Sequence, residues 1–245
     1  MNKYILVIIT LVSGFSTVSS HSNSDKLEDI LALNTHAMGG AENWSKVHNI
    51  RVLLTIKEPG FEVQGNYVAS RDGSMRIDIT VGGNRVFAEG LHQGKAWQWR
   101  PDTGYEDTNE AAAIAIANSI AAPGRFYTLQ QAQQLGASFE LLDSSAEHEW
   151  HLQGRLQNGS LIDYFVDKKS GENRREVSRR AFHPDVDSTE VEVENRNSEP
   201  VWIDGVLRYR RKVNTNLETG EWLGTSIAES IEHNIDIEEG YFAPE

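Results

Sequence analysis

Apolar residues recur at two periods along this chain, and the change of period marks its helices and strands. Leu27, Ile30, Leu31, Ala37 and Met38 share one face of a helix that opens near Asp25. Asp25 and Glu28 have the spacing of a capping box. Gly39-Gly40 ends that helix, because glycine accepts the left-handed conformation in which helices terminate. A second helical piece over residues 41–47 carries Trp44. From Asn49 the period becomes two. Ile50, Val52, Leu54 and Ile56 alternate with Arg51, Leu53, Thr55 and Lys57, and Pro59-Gly60 turns the chain. Phe61, Val63, Gly65 and Tyr67 form the next strand, up to Asp72-Gly73. Met75, Ile77, Ile79 and Val81 alternate with Arg76, Asp78 and Thr80, the clearest strand signal in the sequence. Strands over 85–89 and 95–99 follow, separated by Gln93-Gly94. Short strands joined by turn residues predict an antiparallel meander.

A helical insert over residues 107–136 interrupts the meander. Asp107 and Glu110 are spaced as a capping box before the Ala- and Ile-rich stretch 111–121, and Thr128 and Gln131 repeat that spacing before Gly136. Strands are then expected over 138–142, 149–156, 161–167, 174–182, 188–194, 201–203, 206–214 and 222–237. These short segments are counted as about ten to eleven strands, give or take one or two, and an open sheet beyond ~10 strands curls or splits because each strand twists. The fold class expected is α+β, mainly β: a strongly curved, unclosed antiparallel half-barrel with helices packed in its concave face. No linker rich in Pro, Ser or Gly divides residues 21–245, so they read as one domain.

The first residues set the compartment. Lys3 is the only charged residue among the first 20; an apolar run over 4–12 follows it, and Val18-Ser19-Ser20 supplies a small-residue exit. Residues 1–20 read as a signal peptide cleaved near Ser20/His21. A membrane-spanning helix needs about 20 apolar residues, more than this run holds. With no cysteine there is neither a disulfide nor a lipid-bearing thiol at the cleavage site. The expectation is a soluble periplasmic protein without a transmembrane anchor. The net charge of −13 argues against nucleic acid as a partner and against docking on anionic headgroups.

Catalytic signatures are missing from the sequence. It contains no G-x-S-x-G, no P-loop and no G-x-G-x-x-G, so no catalytic residue and no cofactor is assigned. In His148-Glu149-Trp150-His151 the two histidines point to opposite faces of a strand, which denies them one shared zinc ion. His183-Pro184-Asp185-Val186-Asp187 offers calcium two carboxylates where about 6–8 oxygen ligands are needed. No metal site is assigned. Glu190, Glu192 and Glu194 line one strand face, as a solvated face of an acidic chain would.

Large apolar side chains are the more telling set. Strand alternation and the position of the insert nominate Met75, Ile77, Ile79, Trp97, Trp99, Ile114, Ile116, Ile120, Trp150 and Tyr164 to line a hydrophobic groove. The uncharged stretch 111–121 would suit a cover over it. Each buried methylene of an acyl chain contributes about 0.8 kcal/mol, so an apolar groove binds lipid without a charged site.

Several ordered motifs resemble the LolA-like group, the periplasmic outer-membrane lipoprotein-sorting proteins, and in particular its uncharacterised branch. His36-Ala37-Met38-Gly39-Gly40, followed by Trp44, Val47 and Ile50, is similar to that group's opening helix, double glycine and first strand. The segment from Gln93-Gly94 to Trp97-Gln98-Trp99-Arg100-Pro101 is similar to its D-G-x-x-W hairpin, with Gln93 in place of Asp. Tyr164-Phe165-Val166-Asp167 to Ser170-Gly171 resembles its strand and D-x-x-[TS]-G turn. Asp204-Gly205-Val206-Leu207 resembles its D-G-[IV] hairpin, with Arg208 where proline often follows. Asn234-Ile235-Asp236-Ile237 and Tyr241-Phe242-Ala243-Pro244 resemble its closing strand and tail. The resemblance implies an unclosed curved sheet around helices and a non-catalytic role. The chain would carry a hydrophobic ligand, a lipid or the acyl chains of a lipoprotein, with envelope proteins as further partners. A cell-envelope interaction module without lipid cargo is the alternative reading. An envelope hydrolase is a third, which would require a pocket of clustered polar groups.

Overall fold

The computed structural model describes residues 18–142, 147–184 and 186–244, with side chains from Ser24 onward. Helices α1 (Val18–Ala37) and α2 (Ala41–Ser45) come first. Strands β1 (Asn49–Glu58), β2 (Phe61–Ser70), β3 (Met75–Val81), β4 (Asn84–His92), β5 (Lys95–Arg100) and β6 (Gly104–Asp107) follow. Helices α3 (Glu110–Ala121) and α4 (Leu129–Gln134) form the insert. Seven strands complete the chain: β7 (Ser138–Leu142), β8 (Glu149–Arg155), β9 (Leu161–Asp167), β10 (Asn173–Ala181), β11 (Glu190–Ile203), β12 (Val206–Asn216) and β13 (Trp222–His233).

These strands make one 13-stranded sheet in the order β6-β5-β4-β3-β2-β1-β13-β12-β11-β10-β9-β8-β7. Every neighbouring pair is antiparallel. The chain begins at the centre with β1, steps outward to β6, crosses through α3 and α4 to the far edge at β7, and steps back to β13 beside β1. Strands β6 and β7 are the unpaired edges, so the sheet is an unclosed half-barrel, as the sequence led us to expect.

The strand count exceeds the expected ten to eleven. Strand β6 (Gly104–Asp107) reads Gly-Tyr-Glu-Asp, which carries no apolar alternation. The pieces expected at 188–194 and 201–203 are one strand, β11. Its pairing with β12 keeps one register from Val193↔Asn216 to Ile203↔Val206 and is interrupted only opposite Glu199, whose φ is 58°; Pro200 follows directly. Helix α1 begins at Val18, ahead of Asp25, so Asp25 and Glu28 lie inside it and cap nothing. No Gly or Pro stands between Val18 and Asp25 to stop the helix earlier. The segment assigned to the signal peptide falls, over residues 1–17, outside the described residues.

In the insert, Asn109 caps α3 in place of Asp107, which ends β6; Asn109 Oδ1 accepts from Ala112 N at 2.8 Å. The capping box of α4 is the one expected: Thr128 Oγ1 accepts from Gln131 N, and Gln131 Oε1 accepts from Thr128 N at 3.1 Å.

Two apolar clusters fill the concave face. One joins Trp44, Val47 and β1–β3 to Ile116 and Ile120 of α3 and to Phe126. The other packs Ile30 and Leu31 of α1 and Leu129 of α4 onto Leu152, Tyr164 and Val166. Helices α1 and α4 are also tied by a bond from Thr35 Oγ1 to Thr128 Oγ1 at 2.9 Å. The turn after α1 has a steric reason for glycine. Gly39 has φ 110°, and a Cβ there would lie 2.1 Å from Gly205 O. This contact, with Leu207 N donating to Met38 O, sets the end of α1 against the β11–β12 turn.

Candidate functional site

Between α3 and the concave face lies a cavity of about 850 Å³. One wall is apolar and grows out of the first cluster. Val52, Leu54, Tyr67, Leu207, Ala228 and Ile231 line it, brought together by the registers Val52↔Tyr67, Val52↔Ile231 and Leu54↔Ala228. Above it, Ala111, Ile114 and Ala115 of α3 form part of the boundary. Alanine is the reason α3 can lie close to the sheet and still leave room.

The other wall is polar. Period-two alternation places Glu176, Ser178 and Arg180 of β10 on the cavity side. Asn195 and Asn197 of β11 and Lys212 of β12 continue that surface, through the registers Glu176↔Asn195 and Asn197↔Lys212. Arg125, from the loop after α3, reaches over it with its guanidinium 4.6 Å from the Tyr67 ring. Burial pushes the Glu176 carboxyl above its ordinary range, although Lys212 and the side chain of Asn195 favour its charged form. Burial pulls Lys212 down, and Arg125 and Arg180 add to this by repulsion, while Glu176 opposes it. Arg180 is lowered by burial, with Glu176 again opposing. The wall is therefore a charged cluster held in a site of limited hydration.

Two arginines hold the insert's return loop onto the sheet. Arg71 donates to the carbonyls of Val47 (2.9 Å), Trp44 and Phe126 (2.8 Å). Arg208 donates through Nη1 to Gly124 O and Arg125 O, both at 2.9 Å, and lies 4.5 Å over the Trp44 ring. Burial lowers its pKa to about 9, and Arg125 and Arg71 contribute by repulsion. A proline at position 208 could make none of these bonds. The D-G-[IV] hairpin's departure from its usual pattern thus has a structural use here.

Of the residues expected in a groove, Ile114 lines the cavity and is 45% exposed. Met75, Ile116 and Ile120 are buried in the first cluster, behind the apolar wall, and Ile77 packs against it. Ile79 lies on the same strand face as Met75 and Ile77, beside Gly65. Trp150 and the fully buried Tyr164 belong to the second cluster, under α1 and α4. Trp97 and Trp99 do share a face, but it is the opposite one. Trp97 pairs with Gly90, which pairs with Arg76 and so with Val68, away from the face of Tyr67 and Ile77. There Trp97 Nε1 donates to Phe242 O at 2.9 Å, and the tail after β13 covers it. The close fit explains Gly90, where a Cβ would fall 2.5 Å from the Trp97 ring.

Sequence reasoning missed Arg125, Glu176, Arg180, Asn195 and Lys212. One signal was present: Arg175-Glu176-Val177-Ser178-Arg179-Arg180 is polar on both faces of a strand. One of those faces lines the cavity. Among the described residues no group of three or more His, Cys, Asp or Glu is placed to hold a metal ion. Nor is any described helix long and apolar enough to cross a membrane.

An unclosed antiparallel sheet, crossed on its concave face by helices with a cavity beneath them, defines a half-barrel. Its architecture is the LolA-like fold. A LolA superfamily protein from Nitrosomonas europaea superposes with a TM-score of 0.56 at 12% identity, covering 88% of this chain and 96% of that one. An outer membrane lipoprotein-sorting protein domain from Vibrio parahaemolyticus gives 0.58 at 11% identity, over 90% and 97%. A DUF1329 family protein from Desulfovibrio piger gives 0.54 at 11% identity, over 88% and 96%. No family model matches the sequence, and no curated protein matches it.

Proposed function

We propose that this chain is an exported, non-catalytic carrier or binding protein of the periplasm, and that the cavity beneath α3 holds the acyl chain of a lipid or lipoprotein. The observation that carries this reading is the cavity itself. Its volume of about 850 Å³ falls within the ~300–1,000 Å³ typical of small-molecule sites. Its apolar wall offers an acyl chain about 0.8 kcal/mol per buried methylene. The LolA-like fold supports the reading, since one relative in fold is a lipoprotein-sorting domain. The N-terminal apolar run with its small-residue exit supports export.

Mass spectrometry under non-denaturing conditions, on protein purified from the periplasm without detergent, tests this. A co-purified lipid or acylated peptide, identified in an organic extract, is the expected result. Protein that is empty, and stays empty after incubation with lipids and lipopeptides, would sink the proposal. It would favour the envelope interaction module instead, for which one observation speaks. Trp202, on the β11–β12 hairpin, is 60% exposed, and a large exposed aromatic is a common anchor in protein interfaces.

A further inference from the structure

The charge of the cavity is opposite to that of the chain. Its lining carries Arg125, Arg179, Arg180, Arg208, Arg210 and Lys212 against two carboxylates, Glu176 and Glu190. The whole chain has a net charge of −13. Some of these cations serve the fold, as Arg208 does through Gly124 O and Arg125 O. Arg179 is engaged by Glu218. Lys212 is different: among the described residues its ammonium makes no hydrogen bond and no ion pair within 4.0 Å. Arg180 has one hydrogen bond among the described residues, 3.5 Å to the adjacent Ala181 O, and lies 5.5 Å from the Phe182 ring; Arg125 has one, 3.3 Å to Ser119 O, and the Tyr67 ring; none of these contacts carries a negative charge. Asn195 Oδ1 is buried without a partner on the same wall.

These three cations are half-buried, and drawing a cation partly out of water costs free energy unless something compensates it. Glu176 can compensate one of the three, and it is itself engaged by Asn173 Nδ2 (3.4 Å) and by Asn195. A cavity meant for hydrocarbon alone gains nothing from the surplus. We propose that the cavity takes an amphiphile with an anionic head, a carboxylate or phosphate, seated among Lys212, Arg180 and Arg125. Its chain lies along Val52, Leu54, Ala228 and Ile231. This rests on the carrier reading and adds the chemistry of the head. The two walls face one space, so one molecule with two chemically distinct ends satisfies both. Neither a neutral lipid nor a free anion does.

Isothermal titration of the mature protein would compare palmitate and hexadecyl phosphate with palmitamide, and with acetate and inorganic phosphate alone. The anionic amphiphiles should bind at least about tenfold tighter than palmitamide, a difference of ~1.4 kcal/mol. Lys212→Met and Arg180→Met should remove most of that preference and leave palmitamide binding in place. Glu176→Gln should widen it, which keeps the test available should the other variants not fold. Equal binding of palmitate and palmitamide would overturn the proposal and leave the carrier reading standing. So would a preference untouched by all three substitutions. Binding of inorganic phosphate as tight as that of hexadecyl phosphate would make the site one for free anions and overturn it as well. If no chain-bearing probe binds at all, the carrier reading fails and takes this inference with it.

Discussion

Single side chains in this fold are explained by which wall they face, and two of them make that measurable. Tyr164 is fully buried in the second apolar cluster, and among the described residues its hydroxyl has no hydrogen-bond partner. An unsatisfied buried hydroxyl costs about 1–3 kcal/mol. Tyr164→Phe should therefore stabilise the protein by about 1 kcal/mol, a rise in Tm of roughly 2–4 °C for a domain of this size. A drop in Tm would show that the hydroxyl has a bond we have not assigned. Glu176 gives the second measurement. Burial raises its pKa above the ordinary 4.5, so between those two values the folded chain holds a proton that the unfolded chain releases. Its contribution to stability is complete below 4.5 and is lost as pH climbs through that window. Urea denaturation at several pH values from about 4 to 8 should show wild type losing ground to Glu176→Gln as pH rises. A difference that is constant across the range would mean that Glu176 titrates normally. Neither behaviour was legible in the sequence. Strand alternation says that Glu176 and Val177 face opposite ways; it does not say which way is inward.

At the scale of elements, what the sequence shows well is local chemistry. The Thr128–Gln131 capping box is formed as its spacing implies, because both partners lie within one helical turn. Alternation located β3, and turn residues located the hairpins. What it shows poorly depends on distant partners. Strand β6 exists because Trp97 and Trp99 offer it a ladder through Asp107 and Tyr105, and nothing within Gly104–Asp107 announces that. The same limit sent Trp97 and Trp99 to the groove, since a large aromatic on a strand can be buried on either face. Helix α3 combines both kinds of information. Its Ala- and Ile-rich composition marked it as a cover, and the structure divides its isoleucines by role. Ile116 and Ile120 are core residues, whereas Ile114 borders the cavity. Ile120→Ala should cost about 2–4 kcal/mol, the usual range for a buried large-to-small change. Ile114→Asp should change stability by less than about 1 kcal/mol. On the carrier reading it should weaken palmitate binding at least tenfold, about 1.4 kcal/mol, because it places a carboxylate and its water beside the chain. Thermal melts and the titration described above separate these effects. Equal stability losses from the two variants would show that α3 is packed alike on both positions.

For the whole molecule, the decisive feature is that the first strand, β1, and the last, β13, lie side by side at the centre of the sheet. The register Ile50↔His233 joins residues far apart in the sequence, and within the ladder the two halves of the meander are joined by the β1–β13 pair. Asn49 and Asn234 fasten that seam. Asn49 Oδ1 accepts from Ile235 N at 2.8 Å, Asn234 Oδ1 accepts from His48 N at 2.8 Å, and Asn234 Nδ2 donates to Lys46 O at 2.9 Å. Beyond the seam the tail crosses the convex face. Phe242 O accepts from Trp97 Nε1, Tyr241 O accepts from Arg76 Nη1 at 3.3 Å, and the Arg76 guanidinium lies between the Trp97 and Tyr241 rings, 5.6 and 5.5 Å away. The tail therefore covers the part of that face formed by Arg76 of β3 and Trp97 of β5. Truncation after Glu239 would remove both acceptors and the Phe242 ring, which is 9% exposed. An orphaned buried indole N–H costs about 1–3 kcal/mol, and the uncovered ring of Trp97 adds its lost burial. A loss of about 2–5 kcal/mol is expected, with red-shifted tryptophan emission, and both are readable in a single denaturation series. Because the tail and the cavity lie on opposite faces of the sheet, the same truncation should leave palmitate affinity within about threefold of wild type at a temperature where the variant is folded. A collapse of binding alongside an intact melt would show that the convex face is coupled to the cavity through the sheet.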